Sequence, residues 1–203
     1  MKTEQETFWK GSFGNEYIDR NKGDRFLAIA KENLENGLRK ASNISSVIEL
    51  GSNIGNNIVT LNQMISSLDA VAVEINPIAA EQLQKLDICD VKNESILDFK
   101  SDRTFDLSFT SGVLIHISPD HLNEVYKTLY ETSHKYILIL EYNNHQPEEI
   151  LYRGHEAKLY RRDFCKDIMD EYPDLKLIDY GFLYHNTPDS PRKEDLYWFL
   201  MEK

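Results

Sequence analysis

The chain has 203 residues, 41% of them apolar, and a formal net charge of −11. That length suits one well-buried α/β domain and is short for two, and no stretch reaches the roughly 20 apolar residues of a membrane span. The acidic balance opposes binding to nucleic acid or to an anionic membrane, whose phosphates need a basic surface, so a small-molecule ligand is the default.

Residues 1–7 are polar and hold no apolar signal core, which argues against secretion. The two cysteines, Cys89 and Cys165, are far apart and read as reduced buried thiols, so the expected compartment is the cytoplasm. Residues 4–21 carry Phe8, Trp9, Phe13 and Tyr17, an aromatic density that predicts an arm, residues 1–22, packed as a lid. Phe13 and Tyr17 lie one helical turn apart and would form its docking stripe. From residue 24 to 40 the apolar positions Phe26, Leu27, Ile29, Ala30, Leu34 and Leu38 follow a helical period and predict a packing helix.

Residues 47–57, with Glu49, Gly51, Asn53 and Gly55, read as strand, tight turn and helix. Three ligand chemistries use such a turn, and spacing separates them. A phosphate loop needs Lys and Ser or Thr after its last Gly, and Asn56 and Asn57 stand there. A dinucleotide turn needs Gly at its first, third and sixth positions, and only Gly51 fits. A nucleophile elbow needs a central Ser, where this chain has Asn53. What remains is acid-x-Gly-x-x-x-Gly. Glu49 would accept from a ligand amine, backbone groups of Gly51 would take the rest, and Gly55 would let the helix start close to the ligand.

The next helix spans about 56–66, and residues 69–74 form an apolar strand ending in Glu74. Asn76-Pro77 then opens a helix to about Leu86. Glu74 stands 23 positions after Gly51, where an α/β nucleoside site places the carboxylate that takes both ribose hydroxyls. A third short strand is expected over 87–91, a turn over 93–99, and a fourth strand over 105–110 that runs into a loop containing Gly112, Val113 and His116. A helix over 119–133 follows. His116 is the first candidate for orienting or deprotonating an acceptor. His121 follows at a spacing of five, wrong for two ligands on one helical face, so no metal site is expected.

A fifth, buried strand over 135–142 ends in Glu141 and Tyr142, facing the same crevice. Glu141 is a second catalytic candidate. Residues 151–164 have no evident structural reading, but they gather Arg153, His155, Lys158, Arg161 and Arg162 in an otherwise acidic chain, a setting for a carboxylate or phosphate. His155 is the third catalytic candidate. Strands over 175–185 and 195–202, separated by a turn at 186–191, predict an antiparallel closing pair.

The Glu49–Gly55 turn and the strand ending in Glu74 resemble the first two motifs of the class I S-adenosylmethionine-dependent methyltransferases, with Asn53 where Gly is usual. The resemblance implies a Rossmann-like, doubly wound α/β sheet of seven strands with the last antiparallel, and S-adenosylmethionine as cofactor. By position it implies contacts from Glu49, Gly51, Ser52, Asn53 and Gly55 of the turn, and from Glu74, Ile75 and Asn76 around the ribose. It places Ser95 and Ile96 at the adenine, and Thr110, Gly112 and Val113 in the fourth motif. Tyr17 and Arg20 of the arm would reach the methionine carboxylate.

Residues 3–21, 153–164 and 175–185 are similar to one group within that class, the methylases associated with pseudaminic acid biosynthesis. This implies an anionic acceptor: a nonulosonic acid, its activated sugar precursor, or a substituent on one. Tyr142, Arg153, Lys158, Arg161 and Arg162 would bind it. Two alternatives stand beside this reading, a nicotinamide-dependent oxidoreductase and a non-catalytic cofactor-binding scaffold in a sugar biosynthesis complex. A monomer or homodimer is expected.

Overall fold

Short apolar runs alternate with helical stripes through most of the chain, a pattern that builds a mostly parallel sheet with helices on both faces. The computed structural model describes residues 3–185 and 194–203. Two short helices come first, α1 (Glu4–Lys10) and α2 (Ser12–Arg20), then the longer α3 (Asp24–Gly37). Strand and helix then alternate: β1 (Ser46–Leu50), α4 (Asn56–Met64), β2 (Asp69–Val73), α5 (Pro77–Gln84), β3 (Asp90–Lys92) and β4 (Phe105–Ser111). Two 3-10 turns, Leu114–His116 and Pro119–His121, lead into α6 (Leu122–Thr132) and β5 (Ser133–Glu141). The rest is β6 (Glu148–Tyr152), β7 (His155–Arg161), α7 (Phe164–Glu171), β8 (Lys176–Leu183) and β9 (Leu196–Glu202).

Seven strands form one sheet in the order β3-β2-β1-β4-β5-β9-β8. Every pairing from β3 to β5 is parallel, and β9, the last strand in the chain, lies antiparallel between β5 and β8, as expected. Alternation along β1 divides its side chains between two cores. Ile48 and Leu50 pack with Leu122, Val125 and Leu129 of α6 and Ile168 of α7. Val47 packs with Leu34 of α3, Ile58 and Leu61 of α4, and Leu83 of α5. Each such fully buried aliphatic side chain contributes roughly 1.5–3 kcal/mol. The chain leaves β1 toward β2 on one side and reaches β4 on the other, so a crevice opens at the carboxyl ends of β1 and β4.

Three local expectations shift. The third strand is Asp90–Lys92 rather than 87–91, because Asp87, at φ +53°, is still part of the turn that follows α5. The helix expected from Pro119 opens as a 3-10 turn, and α6 starts at Leu122. The unassigned basic stretch is a β-hairpin, β6 paired antiparallel with β7 in a separate two-stranded sheet. Its turn residues Arg153 and Gly154 have φ +52° and +87°, the left-handed pair that matches strand twist in two-residue hairpins. The turn expected at 186–191 lies outside the described residues. Among the described residues no helix is long and apolar enough to cross a membrane.

Candidate active site

The crevice is a cavity of about 690 Å³, within the range of small-molecule sites. Its floor is the loop between β1 and α4. Gly51 has φ +87°, and a Cβ there would stand 2.5 Å from Val113 Cγ2. Asn53, where the resembling motif carries Gly, has φ +48°. Asn is among the few side chains that tolerate that region, so the substitution keeps the backbone path. Gly55 differs from its expected role. It is the left-handed N-cap of α4, and a Cβ would run into Leu83 rather than into a ligand. The backbone N–H groups of Gly51 and Ser52 are also committed, both donating to Val73 O at 2.8 and 3.1 Å.

Two acids stand over this floor. Glu49 ends the core-facing side of β1, buried, with Oε1 accepting from Asn57 Nδ2 at 2.6 Å and Oε2 without a hydrogen-bond partner. Burial pushes its carboxyl up to about 8 against the Asn57 hydrogen bond, and the neighbouring Glu74 adds to the rise. Glu74 accepts from the backbone N–H groups of Asn53 and Asn76, both at 2.7 Å. Burial raises its pKa also, and those N–H groups oppose the rise. The Asn76 side chain caps α5 through Oδ1, while Nδ2 donates to Trp9 O and Asn15 Oδ1 of the N-terminal helices. Ser95 and Ile96 line the far wall, with Ser95 Oγ accepting from Leu97 N at 3.1 Å.

The roof comes from α1, α2 and the β6–β7 hairpin. Gln5 Nε2 donates to Ala157 O at 3.0 Å, and Trp9 and Phe13 pack on Tyr152. Arg20 lies over the rings of Phe13 and Tyr17, with Nη1 3.8 Å from the Glu16 carboxylate and Nε and Nη2 buried without partners. Tyr17 and Arg20 therefore reach the cavity wall together with Ile75, Gly112 and Val113.

The catalytic candidates separate. His116 lines the cavity and is buried, with Nδ1 2.6 Å from Lys158 O, and burial drives its pKa down to about 4. Glu141 does not line it. As the last residue of a strand buried on both faces, it turns its carboxylate into the core, where Oε1 accepts from Val113 N and Leu114 N at 2.8 and 2.9 Å. Burial raises it to about 7. Thr110 is equally enclosed, 3.3 Å from the same oxygen, and is no part of the cavity wall. His155 is exposed on the outer side of the hairpin against Phe8 and Phe13.

The basic cluster also divides. Strand alternation along β7 sends Arg161 into the cavity and its neighbours away. Arg161 pairs with Glu194 at 2.8 Å and keeps Nε buried without a partner. Lys158 turns its ammonium to Glu4 and the Phe8 ring, and Arg162 pairs with Asp167 beside α6. Arg153, at the hairpin tip, and Tyr142, beyond β5, do reach the cavity.

Sequence reasoning missed Asn57 as the partner of Glu49, Tyr152, and the contribution of α3, whose Arg25, Phe26 and Ile29 form part of the wall. Asn57 was within reach of pattern reading, since it falls in the first turn of the helix after the acid. The α3 residues were not, because an apolar stripe that lines a cavity looks like one that packs a core.

No protein-family model and no curated protein matches the sequence. Solved structures do. A 1,6-didemethyltoxoflavin-N1-methyltransferase from Burkholderia thailandensis, with bound 1,6-didemethyltoxoflavin and S-adenosylhomocysteine, superposes with a TM-score of 0.71 at 12% identity, covering 98% of this chain and 86% of that one. Magnesium protoporphyrin IX methyltransferase from Synechocystis, with bound S-adenosylhomocysteine, gives 0.73 at 10% identity over 98% and 100% of the two chains. The N-methyltransferase NodS from Bradyrhizobium japonicum, also with S-adenosylhomocysteine, gives 0.65 at 12% over 93% and 97%. At such identities the likeness is one of architecture, and the architecture of this chain is the class I methyltransferase fold.

Proposed function

We propose that the chain is an S-adenosylmethionine-dependent methyltransferase, one domain with residues 1–22 as a lid, acting on a small anionic acceptor. One observation carries the cofactor assignment. The cavity holds two buried, unpartnered polar groups of opposite sense, Glu49 Oε2 and the Nε and Nη2 of Arg20. Burying polar atoms without a partner is costly, and although Arg20 Nη1 pairs with Glu16 at 3.8 Å, an amino acid tail, with an ammonium for Glu49 and a carboxylate for the free face of Arg20, satisfies both. Glu74 has one N–H on each oxygen and lone pairs left for a ribose diol.

When bound, the cofactor supplies a methyl group already activated on a sulfonium. The chain's residues need only hold donor and acceptor in line and keep water out, which is the work of the α1–α2 roof and its aromatic contacts. Arg161 and Arg153 are the cationic groups placed for an acceptor anion. The finer reading, a nonulosonic acid, its activated precursor or a substituent on it, is supported by the resemblance of residues 3–21, 153–164 and 175–185.

The test is calorimetric titration with S-adenosylmethionine and S-adenosylhomocysteine, repeated on Glu74→Ala. Micromolar binding that is lost in the variant is the expected result. Failure of both ligands to bind, or binding of a reduced nicotinamide dinucleotide in their place, would overturn the reading.

A further inference from the structure

We propose that His116 is the general base of this site and that the atom methylated is a hydroxyl oxygen, a proposal that rests on the methyltransferase reading above. His116 Nδ1 lies 2.6 Å from the backbone carbonyl of Lys158. A carbonyl oxygen only accepts, so Nδ1 carries the proton and Nε2 carries the lone pair. Among the described residues no hydrogen bond reaches Nε2.

The ring is held on every side. Its 3-10 turn is fixed by Glu141, which accepts from Val113 N and Leu114 N. Trp9 of α1 and Tyr152 of β6 pack on it with ring centroids at 4.6 and 4.9 Å. No carboxylate is paired with it among the described residues, and the nearby Lys158 ammonium points to Glu4. Burial keeps the imidazole neutral, so the lone pair is present at ordinary pH.

A bare imidazole nitrogen in an aromatic pocket serves an acceptor that must lose a proton, and this separates the acceptor classes. Methylating a hydroxyl produces an oxonium, far more acidic than imidazolium, so even a weakly basic imidazole takes its proton. An amine acceptor is an ammonium in water and must shed its proton before it can attack, a proton that so weak a base as this buried imidazole does not take, while a carboxylate has none to give. In the step proposed, the acceptor oxygen forms a bond to the methyl carbon. The carbon–sulfur bond breaks with its electron pair going to sulfur, leaving a neutral thioether, and the O–H proton passes to His116 Nε2. Arg161, in the same cavity, pairs with Glu194 through Nη2, and its unpartnered Nε gives the acceptor's carboxylate a place to anchor beside that pair.

The test uses the full chain saturated with S-adenosylhomocysteine, binding having first been established by calorimetry. Nitrogen-15 spectra of the histidine rings should show His116 with Nδ1 protonated and Nε2 bare from about pH 5.5 to 8.5. The acceptor probe is N-acetylneuraminic acid, a hydroxylated carboxylic acid, supplied with methyl-labelled S-adenosylmethionine. Label should appear as a methyl ether. His116→Asn keeps a donor for the Lys158 carbonyl and removes the base, so it should bind S-adenosylhomocysteine as the parent does while transfer falls about 100-fold or more. An Nε2–H tautomer, label on nitrogen or carboxylate, no transfer to the probe, or undiminished transfer by the variant would each overturn the proposal. Failure to bind S-adenosylhomocysteine would instead overturn the methyltransferase reading.

Discussion

The Glu74 carboxylate accepts from the backbone N–H of Asn53 at 2.7 Å, so the acid that ends β2 holds the loop that leaves β1. The same carboxylate takes Asn76 N, and one side chain thus fixes both the floor of the cavity and the start of α5. In Glu74→Gln the amide nitrogen must face one of those N–H groups. The loop should lose about 1–3 kcal/mol, the cost of a buried donor without an acceptor. Urea unfolding measures that loss, and calorimetry should show cofactor affinity falling at least tenfold beside it. Unchanged stability would mean the loop holds its shape without the acid.

Glu49 makes stability depend on pH with a definite sign. Its carboxyl ionises near 4.5 when unfolded and near 8 when folded. Between those values the folded chain binds more protons, so stability falls as pH rises from about 4.5 to 8 and levels off above, by a few kcal/mol in all. Glu49→Gln should match the parent near pH 4 and exceed it in melting temperature at pH 8–9. A ligand ammonium favours the ionised form, so cofactor binding at pH 7 should release a proton, detectable by calorimetry in buffers of different ionisation enthalpy.

Gly55→Ala tests the turn from the packing side. The left-handed backbone costs a Cβ about 1–2 kcal/mol, and the clash with Leu83 in the filled core adds about 1–3 more. A loss of at least 2 kcal/mol in urea is expected, with binding of S-adenosylhomocysteine by the folded fraction changed less than in Glu74→Gln. An equally stable variant would place the glycine's role elsewhere.

Asn76→Ser separates the arm from the helix it rests on. A serine hydroxyl still caps α5, whereas the donor to Trp9 O and Asn15 Oδ1 disappears. Global stability should change by less than about 1 kcal/mol, while amide exchange over residues 4–20 accelerates. Unchanged exchange there would show that the arm is held by its aromatic contacts alone.

The sheet, its order of strand and helix, and the two acids were legible because each rests on a local pattern: an apolar run, a glycine that must adopt positive φ, an acid at a strand end. The hairpin was not, since β6 and β7 fully bury only Lys158 and Leu159 and carry no clean alternation of apolar and polar residues. Without a strand there, nothing distinguished Arg161 from Arg162, although a step of one residue on a strand reverses the face. Glu141 was misjudged for a related reason. Its place at the end of β5 was right, but whether a strand-end acid faces the crevice or the core depends on the loop opposite, and the N–H groups of Val113 and Leu114 drew it inward. Asn53 shows the reverse: a departure from the motif's glycine that the backbone absorbs without changing its path.

The bond from Gln5 to the carbonyl of Ala157 spans 152 positions, and its neighbour from Lys158 reaches back to Glu4. On the ribosome, these partners of the arm exist only after residue 158 has been added. The glycine turn, both acids and His116 are already made by then. A nascent chain therefore carries its ligand-facing floor, and the Asn76 side chain that holds the arm, before the hairpin that completes the roof has been made.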